Sequence, residues 1–202
     1  MNWISYVSLL SPCFAFFIAL SRRESIDVTS GIILLFLIAS FASDILSYLW
    51  AINFGSNYWI IKIYQILEFG LVWMYFGMVL KQPRSKYVLI LVVPFLVLIS
   101  LDKINDINVL TQGIVCLLFT FLGVLDFIKA FNDSEHEILD KVPEFWFTSG
   151  ILFYFSGSLF SWVMFNYLQV EASSEFWTFH NIANILKNIL FAIGLWKVRA
   201  AV

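Results

Sequence analysis

Seven apolar stretches of roughly 20 residues each fill most of this chain. They run over approximately 3–20, 29–53, 59–80, 87–101, 107–131, 143–168 and 177–198. A helix of that length crosses the ~30 Å hydrocarbon core of a bilayer. The chain has 202 residues, of which 61% are apolar and 13% charged, and it carries 22 Phe, 8 Trp and 8 Tyr. One soluble core of this size cannot bury that much apolar surface. A membrane β-barrel would instead show short alternating segments, which these runs do not. The expected fold is all-α: a single polytopic bundle of seven transmembrane helices embedded in lipid.

The loops orient the bundle. With seven crossings, Arg22, Arg23, Lys81, Arg84, Lys86, Lys129, Lys141, Lys197 and Arg199 fall on one side, and Lys103 alone on the other. The positive-inside rule then puts the N-terminus outside and the C-terminus in the cytoplasm. The start, MNWISYV, lacks a basic n-region, and Arg22–Arg23 follow the first apolar run; this reads as a retained span in the cell (inner) membrane. A net charge of −2 without a basic arm gives nucleic acid nothing to bind.

Ionisable and amide residues interrupt the apolar runs. Thr29–Asn53 contains Asp44, with Ser40 and Ser47 on the same face; Trp59–Leu80 contains Lys62, Gln65 and Glu68. Gln112 lies in the fifth stretch. The seventh carries His180, Asn181, Asn184, Lys187 and Asn188, and His180, Asn184, Lys187 and Asn188 recur at one-face helical spacing. Helical rise puts Lys62 and His180 about 5 Å below the outer surface, Glu68 and Lys187 about 14–15 Å, and Asp44 about 22 Å up from the cytoplasmic start of its helix. All five therefore share one slab, from the outer half to the midplane. A lone charge there costs at least ~2.5–3.5 kcal/mol, so each needs a partner, a wet cavity or neutrality. Glu68–Lys187 is the first pairing expected. The candidate ligand- or ion-binding residues are Asp44, Glu68, His180, Asn184 and Lys187, with Lys62, Gln65, Gln112 and Asn188 secondary. The same residues also suit plain helix–helix glue. Lys62 and His180 are shallow enough to stay wet. Asp126, beside Lys129, reads as interfacial. The Gly and Ser residues of the sixth stretch, Gly150 and Gly157 among them, fit close helix packing.

The chain also carries hints of duplication. Thr29-Ser30-Gly31-Ile32 opens the second stretch and Thr148-Ser149-Gly150-Ile151 lies in the sixth; Cys13-x-x-Phe16 in the first matches Cys116-x-x-Phe119 in the fifth. A 3+1+3 parallel repeat of this kind resembles the plan of SWEET-type transporters, in topology alone, without a proline-glutamine motif. Lys187 midway along the last helix, opposite a carboxylate, resembles the retinal lysine and counterion of microbial rhodopsins. The third stretch lacks their Arg-x-x-Asp pattern and the sixth their Trp-x-x-Tyr-Pro run.

No enzyme signature is present. His136-Glu137 lacks the second histidine of HExxH, Ser156-Gly157-Ser158 is no nucleophile elbow, and the two histidines fall on different sides of the membrane, which leaves no metal site. No cofactor is implied. Two readings follow. One is a carrier or channel for a small polar solute or ion, coupled to protons through Glu68 and Asp44. The other is a seven-helix sensor or accessory protein that binds a small ligand, or a cytoplasmic or membrane protein partner, with a retinal adduct on Lys187 as a minor variant.

Overall fold

A computed structural model describes residues 3–22, 25–55, 57–80, 109–133, 139–168 and 173–198. All regular structure among them is helical: α1 (Trp3–Ser21), α2 (Val28–Phe54), α3 (Tyr58–Val79), α4 (Val109–Asp133), α5 (Pro143–Leu168) and α6 (Ser173–Lys197), with a short 3-10 turn at Leu139–Lys141. The expected stretch at 87–101 lies outside the described residues, as do Arg23, Lys81, Arg84, Lys86, Lys103 and Arg199.

Local chemistry explains several helix ends. Asp27 caps α2 by accepting from the Ser30 amide at 2.9 Å, and Gly55 closes it in the left-handed conformation (φ 78°). Pro143 opens α5, where its missing N–H is no loss. Pro12 sits inside α1 and frees the carbonyl of Ser8. The Ser11 hydroxyl takes up that carbonyl at 2.7 Å, so the break leaves no orphan acceptor.

Among the described residues, four helices are long and apolar enough to cross a membrane: Trp3–Ser21, Val28–Phe54, Trp59–Val79 and Thr111–Asn132. Large apolar side chains point outward on every helix, among them Phe17, Leu35, Leu67, Phe121, Phe153 and Ile189, while Glu68, Lys187 and Asn188 are buried. That distribution is consistent with a protein surrounded by lipid.

The six helices close into a ring in chain order, α6 returning against α1. α5 and α6 form the closest pair, running antiparallel. Phe160 meets Phe179 at one end, with ring centroids 5.4 Å apart, and Phe147 packs on Gly194 at the other. α3 and α4 run in parallel: Phe69 stacks near Phe119 at 5.3 Å, and ten residues on, Lys129 Nζ donates to the Val79 carbonyl at 2.7 Å. α1 and α6 are parallel as well, joined by a ladder of amides on hydroxyls. Asn181, Asn184 and Asn188 Nδ2 donate to Ser5, Ser8 and Ser11 Oγ at 3.2, 2.9 and 2.6 Å. Such intramembrane bonds are worth about 0.6 kcal/mol on average and up to ~1.7. Asn188→Ala removes the shortest rung and is expected to cost about 1 kcal/mol in a denaturation series; Asn181→Ala, which removes the longest, is expected to cost less.

The two Thr-Ser-Gly segments occupy different environments. A Cβ on Gly31 would meet open space, whereas Gly150 is pressed against the Phe191 ring. α1 packs extensively on α6, but α3 only lightly on α4. The ring order is compatible with a two-fold arrangement, yet the contacts that would carry it are unequal.

Candidate functional site

At the end of the bundle where α1, α3, α4 and α6 begin, the helices diverge around a cavity of about 680 Å³. Every helix contributes to its wall: Ser5 and Ser8 from α1, Ser40, Ser43, Asp44 and Ser47 from α2, Tyr64, Gln65 and Glu68 from α3, Gln112 and Cys116 from α4, Tyr154, Ser158 and Trp162 from α5, and Trp177, His180, Asn181 and Asn184 from α6. That volume matches a small-molecule pocket, with polar groups from every helix set in a largely apolar lining.

The geometry sorts the expected site residues. Asp44, Glu68, His180, Asn184, Gln65 and Gln112 all line the cavity; Lys62, Lys187 and Asn188 do not. Asp44 is exposed and borders the cavity. Glu68 is buried and accepts from the Tyr64 hydroxyl at 3.0 Å. The hydroxyls of Tyr154 and Ser40 interact with Glu68 and Tyr64 in turn. His180 is fixed on three sides. Its Nδ1 is 3.0 Å from Ser158 Oγ, and its ring lies 5.6 Å from those of both Tyr154 and Trp177. Asn184 spends its amide nitrogen on Ser8, and its Oδ1 has no hydrogen-bond partner.

Lys187 departs from expectation. It does not pair directly with Glu68: its Nζ has no hydrogen-bond partner and the side chain is fully buried. The ammonium sits instead between two aromatic faces, 4.2 Å from the Tyr154 ring centroid and 4.7 Å from that of Phe36. Tyr154 is thus a shared wall, with the cavity on one side and Lys187 on the other. Both Asp44 and Glu68 still feel the Lys187 charge. The polar stripe of α6 therefore splits. His180, Asn181 and Asn184 face the cavity, while Lys187 and Asn188 lie one turn below it.

A layer of aromatic rings lies beneath the cavity, and two of them, Tyr154 and Phe155, line it. Phe119, Phe155, Tyr154, Phe36, Phe191, Phe147, Tyr75 and Phe76 make a closed circuit of ring contacts, with successive centroids 4.8–6.5 Å apart. All of them are buried. Among the described residues, none that lines the cavity comes from beyond this layer.

A second polar node lies on the far side. Tyr75 Oη shares a hydrogen bond with Thr148 Oγ1 at 2.8 Å and donates to the Glu144 carbonyl at 3.1 Å; Thr148 Oγ1 donates to Asp126 Oδ2 at 2.6 Å. Asp126 is therefore buried and hydrogen-bonded across a helix interface. Sequence reasoning placed it by its neighbour Lys129 and had no means to see Thr148 across the helix interface. Ser5, Ser8 and Ser11 were also overlooked. Their spacing of three was the available signal.

No family model, curated protein or solved structure matches this chain.

Proposed function

We propose that this is a multi-pass protein of the cell membrane that takes up a small polar solute through the cavity and carries it across, with Glu68 as the proton-linked group. The observation that carries the reading is the cavity itself: six helices turn polar side chains into one space that ends on buried Glu68. Intramembrane carboxylates facing a cavity mark solute and proton pathways. The aromatic floor favours a carrier that opens alternately to the two sides over a continuous pore.

Seven crossings belong to the same proposal. α3 and α4 both start at the cavity end, so residues 81–108 link opposite ends of the bundle. These 28 residues would reach about 42 Å as a helix, enough to return through a bilayer. Arg22, Lys129, Lys141 and Lys197 all lie at the end opposite the cavity, which makes that end cytoplasmic and the cavity exofacial. Lys197 Nζ approaches Asp140 Oδ2 to 3.8 Å there, and the Arg22 guanidinium stacks 4.6 Å over Trp196, as expected of an interfacial belt.

The dead-ended shape of the cavity also supports a sensor that binds its ligand without moving it. Flux separates the two. Purified protein in liposomes with a pH-sensitive dye inside is exposed to the low-molecular-weight fraction of a cell extract. The wild type is expected to move protons, and Glu68→Gln to fall to the protein-free background. No proton movement by the wild type overturns the carrier reading and leaves the sensor.

A further inference from the structure

The cavity's lining is lopsided in charge. Among the described residues, Asp44 and Glu68 border it and no lysine or arginine does. Lys187, whose ammonium acts on both carboxylates, is walled off behind Tyr154. Two carboxyl groups at the wall of a space partly shielded from water favour an added monovalent cation over an anionic solute.

Shape and ring content narrow the cation. About 680 Å³ is far more than a dehydrated alkali ion fills. The walls include the aromatic side chains Tyr48, Tyr64, Tyr154, Trp162 and Trp177. Aromatic faces beside carboxylates are the recognition chemistry of alkylammonium groups. Lys187 already shows this chemistry within the chain: an alkylammonium with no hydrogen-bond acceptor, held between the Phe36 and Tyr154 rings.

We propose that the cavity selects small organic ammonium ions, with Asp44 and Glu68 opposing the charge and the tyrosine and tryptophan rings packing on the carbon substituents. This rests on the cavity being a solute site, and adds the class of solute.

The test is thermal unfolding of the purified full chain in detergent. Tetramethylammonium chloride and n-butylammonium chloride are compared with sodium chloride at matched ionic strength, and with tert-butanol as an uncharged probe. Saturating either ammonium salt is expected to raise the midpoint by about 5 °C beyond sodium. Asp44→Asn is expected to weaken that response roughly tenfold or more, the ordinary worth of a charge-assisted contact. Asp44 has accessible surface, so the variant should fold; should it not, the comparison of probes on the wild type decides alone. Equal shifts with sodium, a shift with tert-butanol, or no shift with either ammonium overturns the assignment. Proton movement driven by the cell extract would stand in any of those cases, so loss of the ligand class and loss of the carrier reading are distinct results.

Discussion

Gly150→Leu is expected to abolish the folded bundle, seen as loss of the monodisperse species in detergent and of any cooperative thermal transition. A Cβ at Gly150 would meet Phe191 Cε1 at 2.6 Å and the Lys187 carbonyl oxygen at 3.2 Å. Neither can yield. The Phe191 ring is fully buried and wedged between Phe36 and Phe147, and the carbonyl belongs to the α6 backbone. The contact is one of a series: a Cβ at Gly157 would meet Ala183 Cβ at 2.7 Å, and Gly194 receives the Phe147 ring. One or two extra methylenes in such a core cost about 1–3 kcal/mol, and the four carbons of leucine cost more. With native stabilities of about 5–15 kcal/mol, and α6 also holding the α1 ladder, separation of α5 from α6 spreads through the ring. Gly70→Ala supplies the contrast. A Cβ there meets nothing within 4 Å, and the change is expected to stabilise by about 0.5–1 kcal/mol through helix propensity. Were Gly150→Leu to unfold at the wild-type midpoint, the close approach of α5 and α6 would be wrong.

How much of this was readable from the chain depends on whether the information is local. Helix-forming stretches announce themselves through hydropathy, and Asp27, Gly55 and Pro143 mark ends by chemistry confined to a few residues. The polar stripe of α6 is local as well, since helical period alone puts His180, Asn184, Lys187 and Asn188 on one face. What that face meets is not local. A period of 3.6 cannot say that Ser5, Ser8 and Ser11 are the partners, nor that Tyr154 divides the stripe into a cavity side and a caged lysine. The same limit explains Asp126, whose neighbour Lys129 is visible in the sequence and whose partner Thr148, on another helix, is not. It also explains why depth matching suggested a Glu68–Lys187 bond: two groups at one height share a slab without sharing a contact. Gly150 and Gly157 could be read as close-packing residues, but only the opposing Phe191 and Ala183 show how little room there is.

Lys187→Met is expected to raise stability by about 1–3 kcal/mol, a midpoint increase of roughly 5 °C for a chain of this length. The sign follows from what holds the ammonium. Burial of an unpaired cation costs several kcal/mol even after relaxation, and Nζ has no acceptor to offset it. The two rings return about 2 kcal/mol each, less than the cost of the buried charge. Methionine keeps the length of the side chain, removes the charge and retains sulfur–aromatic contacts worth about 0.3–1.5 kcal/mol apiece. The carboxylates left behind are not stranded: Asp44 borders the cavity, and Glu68 keeps the Tyr64 hydroxyl. Lys187→Ala separates charge from volume, since it opens a hole between Phe36 and Tyr154 and is expected to cost about 2–4 kcal/mol. The methionine variant has a second readout. With the resident ammonium gone, both carboxylates are free to oppose an incoming one, so n-butylammonium is expected to bind several-fold more tightly than to the wild type, while proton-linked flux is lost. A methionine variant that unfolds well below the wild type would mean that Lys187 is the structural counter-ion of Asp44 and Glu68, not a caged cation that costs stability.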